Sequence, residues 1–464
     1  MSELDSYLSE NASRFESELC EWLAMPSVST DSAFAADVRK AADWLHHRMD
    51  ALGLQTEIIE TCGHPIVYAE SPAIAGAPTV LVYGHYDVQP PDPLDEWQTP
   101  PFEPDIRGRN VFARGATDDK GQMITHLYST EAWMKTVGSL PVQLKFLIEG
   151  EEECGSSGLK EFLAGKYDSD GASVKDKLAA DIVVISDTSQ YGPGMPAITY
   201  GLRGICYYEL ELFGPNQDLH SGAFGGAVTN PANTLTKMLS AIINDKGQIQ
   251  IPGFYDDVIG LTELEKGQFQ ELNFDDAAFM DELEVTGMTG EEGFSTLERR
   301  WSRPTFDING LTSGYQGEGA KTVLPAKASA KFSFRLVPNQ DPAAVSEQLE
   351  KFLTELCPPG IKMNLIDRHG ATGFVLSLDS PFMQAASQAI EHGFGKKPVF
   401  IRSGGSIPVV NSFKHLLGID TLLLGWGQDD DKPHSPNEKF SLDDFQKGIR
   451  SSARLWEELA KIAV

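Results

Sequence analysis

The stretch LVYGHYDV, residues 81–88, sets a histidine and an aspartate, His85 and Asp87, directly behind a short apolar run. Three further stretches repeat the arrangement. FLIEGEEECGS (146–156) places Glu152 and Glu153 after Phe146, Leu147 and Ile148; DIVVISD (181–187) ends its apolar run on Asp187. TLLLGWGQDDDKPHSP (421–436) carries His434 beyond Leu422, Leu423 and Leu424. Apolar runs this short and unbroken read as strands covered on both faces, the habit of a parallel sheet. In open α/β sheets, ligands and chemistry collect beyond the carboxyl ends of such strands. Two histidines and several carboxylates converging there make a donor set for divalent metal, zinc above all.

Around these runs strand and helix patterns alternate, which argues an α/β class. Val38, Ala42, Leu45, Met49 and Leu52 form a helical stripe over 36–52, with Gly53 as its stop. Strands are expected near 66–70 and 79–83. The segment QPPDPLDEWQTPPFEP (89–104) holds six prolines and suits neither helix nor central strand, so it forms a stiff rim directly after His85. Beyond ITYGLRG (198–204) the texture changes. CYYELELFG (206–214) and ASAKFSFRLVP (328–338) alternate, as half-buried antiparallel strands do. Helices are expected in PANTLTKMLSAIIN (231–244) and DPAAVSEQLEKFLTEL (341–356), and a strand in KMNLIDRH, while 255–300 reads as acidic and loop-rich. After Asp379 the pattern of the first domain returns. The expected organisation is a first domain of residues 1–203 and 376–464, with a mixed, mostly parallel sheet flanked by helices, and an inserted α+β domain of residues 204–375.

The 464 residues exceed one ordinary core, in keeping with two domains. With 67 acidic and 38 basic side chains the formal charge is −29, which disfavours nucleic acid and anionic membrane as partners. No apolar run approaches the roughly 18 residues of a membrane helix. The first 23 residues are acidic and lack the pattern of a signal peptide. Cys20, Cys62, Cys154, Cys206 and Cys357 are dispersed, with no CxxC pair, as in reduced compartments. A soluble cytoplasmic protein is expected.

Each polar signal taken alone also has an ordinary reading. His85 and Asp87 could be a core histidine bonded to a turn carboxylate, or a metal ligand and the group that orients it. Asp118 and Asp119, in ARGATDDKGQ, could be acids favoured at a helix N-terminus, or Asp118 could bridge two metals. The adjacent carboxylates of GEEE (150–153) repel one another unless cations compensate. Either they form a solvated loop, or Glu152 is a general base and Glu153 a ligand. Asp187 could be a plain strand-end acid and His434 a surface histidine, although two prolines flank the latter. His46, His47, His64, His126, His369, His392 and His415 have no comparable setting.

Taken in order, GHYDVQP (84–90), ARGATDDKGQ (113–122), EGEEECGSSG (149–158), ISD with ITYGLRG, DLHSGAFGG (218–226), GAKTVLPAKASAKFSFRLVP (319–338), GGSIP (404–408) and HSPNE (434–438) span nearly the whole chain. Together they resemble the dinuclear metallopeptidases that include carnosinase and cytosolic nonspecific dipeptidase. Aminoacylase, glutamate carboxypeptidase and succinyl-diaminopimelate desuccinylase are more distant members. The resemblance implies hydrolysis of small peptides by a water activated between two divalent metals, zinc first, with manganese and cobalt as alternatives. Asp118 matches the bridging ligand, His85 and Asp187 the ligands of one metal, Glu153 and His434 those of the other. Glu152 matches the general base, Asp87 the residue that orients His85, and Asp118–Asp119 a peptide bond typically cis. The inserted domain then corresponds to a lid and dimerisation domain, and the protein to a homodimer. His220 matches a catalytic oxyanion donor supplied by the neighbouring subunit. Thr322, Arg335 and Ser406 match substrate contacts, Arg335 clamping a carboxylate. Ser403 stands where the dipeptidase branch often has an acid, so the match does not extend to recognition of a free α-amino group. The same machinery with another pocket would make an N-acyl-amino-acid amidohydrolase. A non-catalytic metal-binding scaffold would be expected to have lost some of these residues, and all are present.

Overall fold

The computed structural model describes residues 2–167, 173–405 and 407–463. Contacts divide the chain into two units, one of Met1–Tyr200, Leu376–Ile401 and Ser412–Val464, the other of Gly201–Val375 with Arg402–Asn411. The sequence pattern assigned all of 376–464 to the first domain, whereas 402–411 groups with the second unit. The reason is local bonding. The Arg203 main-chain N–H donates to Ser403 O, its guanidinium donates to Gly404 O, and Asn411 donates to Thr372 O.

In the first unit the strands Gln55–Ile59, Ile66–Glu70, Gln143–Glu149, Thr79–His85, Ile182–Ser189, Thr421–Gly427 and Ala197–Leu202 lie side by side in that order. The third to sixth of these run parallel, and the outer pairings are antiparallel. Val80, Leu81, Val82 and all four residues from Ile182 to Ile185 are fully buried, which is why these runs carry no polar alternation. Helix Lys120–Thr136 is buried from Lys120 to Ala132. Helix Ala35–Ala51 buries Val38, Ala41, Ala42, Leu45 and Met49 and stops just before Gly53, which takes φ +80°. The proline-rich segment holds one short 3-10 turn, Leu94–Glu96, and no strand.

The second unit is α+β. Its sheet has the order Thr305–Ser313, Lys327–Leu336, Gly204–Phe213, Lys362–Ala371, each neighbour antiparallel. Tyr208, Leu210, Phe332 and Phe334 point to one face and form a core with Leu239 of helix Pro231–Ile242 and Leu349 of helix Pro342–Leu356. The stretch expected to be loop-rich contains three short helices, Glu263–Glu271, Asp276–Glu282 and Thr296–Trp301. Two of them begin with reciprocal caps, Thr262 with Glu265 and Ser295 with Glu298. Those pairs were legible, but the first two helices bury almost no apolar side chains, so no stripe marked them. Among the described residues no helix is long and apolar enough to cross a membrane.

Candidate metal centre

Parallel pairing brings the carboxyl ends of the central strands to one edge of the first unit. His85 ends its strand, opposite Glu149, and is fully buried. Gly84 lets that end lie against the start of helix Lys120–Thr136, since a Cβ there would sit 2.7 Å from Asp119 Oδ2 and 2.5 Å from Met123 Cγ. His85 Nδ1 lies 3.1 Å from the main-chain oxygen of Asp87 and 3.4 Å from its Oδ1. The expected pairing with Asp87 is present, with the carbonyl as the nearer group. Donation from Nδ1 leaves Nε2 as the ring's forward donor atom. The Asp87 carboxylate also accepts from the main-chain N–H groups of Glu152, at 3.3 Å, and Glu153, at 3.1 Å. Asp87 thereby ties the loop after Gln143–Glu149 to the end of Thr79–His85.

Asp118 lies between the two histidines. Its Oδ1 is 3.1 Å from His85 Nε2, and its Oδ2 is 2.8 Å from His434 Nε2. His85 Nε2 is 4.0 Å from Asp187 Oδ2, and His434 Nε2 is 3.3 Å from Glu153 Oε2. Two ligand groups result, His85–Asp118–Asp187 and Asp118–Glu153–His434, each with its donor atoms within 4.8 Å of one another. Asp118 is common to both. The Asp118–Asp119 peptide bond is cis. Glu152 belongs to neither group. Asp118, Asp187 and His434 line an open cleft with Thr117, Gln122 and Gln428.

The electrostatics of the cluster call for cations. Burial, reinforced by Asp118, pushes Asp187 well above the usual carboxylate range. Burial also raises Glu152, with Glu153, Asp118 and Asp87 adding to it against the opposing pull of His85. Asp118 goes the other way. Burial works against its ionisation, yet its bonds to His434 and His85 hold it below the usual range. The same bonds act on the imidazoles. Burial alone would lower His85, but Asp118 and Asp87 carry it well above its ordinary value. Bonds to Asp118 and Glu153 raise His434 to about 10. These opposed shifts mark acids and imidazoles crowded together, a setting that divalent cations would relieve. The buried His85 Nε2 faces Asp118 Oδ1 at 3.1 Å and Asp187 Oδ2 at 4.0 Å. Imidazole nitrogens aimed at carboxylate oxygens make a donor set that fits a metal pair held by two histidines and three acids.

The remaining candidates lie on the second unit or outside the described residues. His220 and Thr322 are exposed and adjacent, because Leu219–His220 pairs with Val323–Leu324 and Ser221 N–H donates to Thr322 O. Arg335 is half-buried near the end of Lys327–Leu336, opposite Thr305 and Ile205. Ser406 lies outside the described residues. Three contributors escaped the sequence reading. Gln89 donates to Glu153 Oε2 at 2.8 Å. Buried Asp119 receives the His85 main-chain N–H at 3.4 Å. Glu438 binds the loop that carries Asp118. All three lie inside the quoted motifs, Gln89 in GHYDVQP, Asp119 in ARGATDDKGQ and Glu438 in HSPNE, but residue type alone did not disclose these contacts.

A family model described as Peptidase family M20/M25/M40 matches residues 81–458. The Cys-Gly metallodipeptidase dug1 of Schizosaccharomyces pombe is 34% identical over 100% of this chain and 99% of its own length. The human Beta-Ala-His dipeptidase is 33% identical over 86% of this chain and 78% of its own. Among solved structures, the M20 family metallo-carboxypeptidase Sso-CP2 from Sulfolobus solfataricus superposes with a TM-score of 0.83 at 33% identity, covering 96% of this chain and 99% of its own.

Proposed function

The chain belongs to peptidase family M20/M25/M40, and on that premise we propose that it is a two-metal dipeptidase that hydrolyses the amide bond of dipeptides or small peptides. The observation that carries this reading is one carboxylate, Asp118, shared by two imidazole–carboxylate groups, with Glu152 beside them and outside both. His85 and Asp187 would hold one cation, Glu153 and His434 the other, with Asp118 between. Bound there, such a pair polarises a carbonyl and acidifies water. Zinc suits the donor set, and manganese and cobalt are accepted by the same ligands. Asp87 holds the tautomer of His85. Glu152 takes the proton of the attacking water and passes it to the leaving amine.

His220 serves as the oxyanion donor, reaching the site of a partner chain in a homodimer formed through the second unit. Thr322, Arg335 and Ser406 hold the substrate, the guanidinium of Arg335 gripping its carboxylate in two-pronged fashion. A cytoplasmic enzyme with no nucleic-acid or membrane partner accords with the acidic composition. A second reading, N-acyl-amino-acid amidohydrolase, draws on Ser403, which offers no charge to a substrate ammonium.

One experiment tests both readings. The protein is stripped with chelator, reloaded with zinc, manganese or cobalt, and offered free-amine dipeptides, including Cys-Gly and β-Ala-His, beside N-acetyl and N-succinyl amino acids. Dipeptide hydrolysis that returns only as two metals bind per chain is expected. Full activity with less than one metal per chain would overturn the two-metal reading. Turnover confined to N-acyl substrates would replace the dipeptidase with the amidohydrolase.

A further inference from the structure

Glu438 is fully buried, and both of its carboxylate oxygens are used. Oε2 accepts from Arg114 Nη1 at 2.9 Å and from the main-chain N–H of Gly115 at 2.9 Å. Oε1 accepts from the main-chain N–H groups of Thr117, at 2.9 Å, and Asp118, at 3.2 Å. Four donors from one five-residue stretch, 114–118, therefore converge on a single side chain from a distant part of the sequence. Antiparallel pairing of Lys439–Ser441 with Asn110–Phe112 explains the placement. It continues into a bond from Ala113 N–H to Glu438 O, which sets Glu438 against the chain just before Asp118.

Glu438 also closes the loop that carries His434, whose φ is +60°. Asn437, next to it, accepts from Gln98 N–H at 2.8 Å and donates to Glu96 O, which ties that loop to the proline-rich rim. A second bridge runs parallel to the first. Thr117 Oγ1 donates to Asp431 Oδ2 at 2.9 Å, and Asp431 is itself held by Gln428 N–H and Lys439 Nζ. The Asp118 loop and the His434 loop are thus clamped together at both ends. His85 and Asp187, in contrast, stand on paired strands of the main sheet and do not depend on this clamp.

We infer that Glu438 is a positioning residue that sets Asp118 against His434, and so governs binding at the Asp118–Glu153–His434 group more than at the His85–Asp118–Asp187 group. This rests on the two-metal reading. A carboxylate is required because every group facing it is a donor; an amide would turn one of its two ends into a donor and leave two buried N–H groups without an acceptor. An ion pair serving stability alone would need only Arg114. The three main-chain bonds instead fix the backbone of a ligand.

The test is calorimetric titration of Co2+ into the chelator-stripped full chain, comparing wild type with Glu438→Gln. His434→Ala and Asp187→Asn label the two groups, and Glu131→Gln controls for loss of a buried carboxylate elsewhere, since Glu131 pairs with Arg14 and Arg48 away from the cluster. Loss of a group that holds metal ligands from behind typically weakens affinity roughly 10- to 100-fold. Glu438→Gln is expected to keep one site within about threefold of wild type and to weaken the other at least tenfold, following His434→Ala rather than Asp187→Asn. Glu131→Gln should lower Tm without splitting the two affinities. If Glu438→Gln does not fold, Glu438→Asp, which keeps the charge but falls one methylene short, is titrated in its place. Two unchanged affinities in a folded variant, or parallel weakening of both, would overturn the inference. A wild type that binds only one metal would defeat the two-metal reading itself, a result distinct from either.

Discussion

Glu152 and Glu153 are neighbours in sequence and share one anchor, the Asp87 carboxylate that accepts both of their main-chain N–H groups. Their side chains nonetheless part. Glu153 Oε2 sits 3.3 Å from His434 Nε2 and receives Gln89, whereas Glu152 is outside both ligand groups. A carboxylate raised by burial and by acidic neighbours is poised to hold a proton in transit. Glu152→Gln is therefore expected to retain both metals and to lose roughly 10²- to 10⁴-fold in kcat. Glu153→Gln should lose metal first. Metal content by mass spectrometry, measured beside kcat for each variant, decides between the roles; a metal-free Glu152→Gln would exchange them.

At the scale of the elements, the centre depends on how closely the strand Thr79–His85 approaches the first turn of helix Lys120–Thr136. Gly84 is the point of contact. A methyl group there meets Met123, which can bend away, and the Asp119 carboxylate, which cannot move without releasing the His85 main-chain N–H. Gly84→Ala is expected to destabilise the fold by about 1–3 kcal/mol, the usual penalty for overpacking a close-fitted interior. It should also weaken metal binding, because His85 and Asp118 leave opposite sides of that contact. Denaturant unfolding read beside metal titration checks both effects. A variant as stable as wild type, with unchanged affinity, would show that the contact has slack.

On the scale of the whole molecule, the proposed chemistry is divided between two units. All five proposed metal ligands and Glu152 belong to the first, while His220, exposed beside Thr322, belongs to the second. If His220 acts across a homodimer, chains carrying His220→Ala and chains carrying Glu152→Gln are each nearly inactive alone. Mixed dimers then hold one site with both groups intact, and activity should return well above either parent. With subunit exchange verified by differently tagged chains, no recovery would place His220 and Glu152 in the service of the same chain's site.

Local order in the chain was enough to foretell much of this. Unbroken apolar runs ending in His85, Glu149 and Asp187 specify buried strands, because only helices on both faces remove the need for polar alternation. Alternation in 206–214 and 328–338 specifies a sheet covered on one face for the converse reason. His85, Glu153 and Asp187 stood out as polar groups at or just past the ends of apolar runs, whereas the bridging role of Asp118 and the full ligand set came from the family resemblance. Three features were not legible. The grouping of 402–411 with the second unit depends on Arg203, some 200 residues away in sequence, reaching Gly404. The nearer partner of His85 is the main-chain carbonyl of Asp87, and a carbonyl is present at every residue. The convergence on Glu438 requires Lys439–Ser441 to pair with Asn110–Phe112 across more than 300 residues, in one register only. Residue type and spacing carry periodicity and local caps. Which distant groups meet, and at what distance, follows from strand register and close packing, which no single segment encodes.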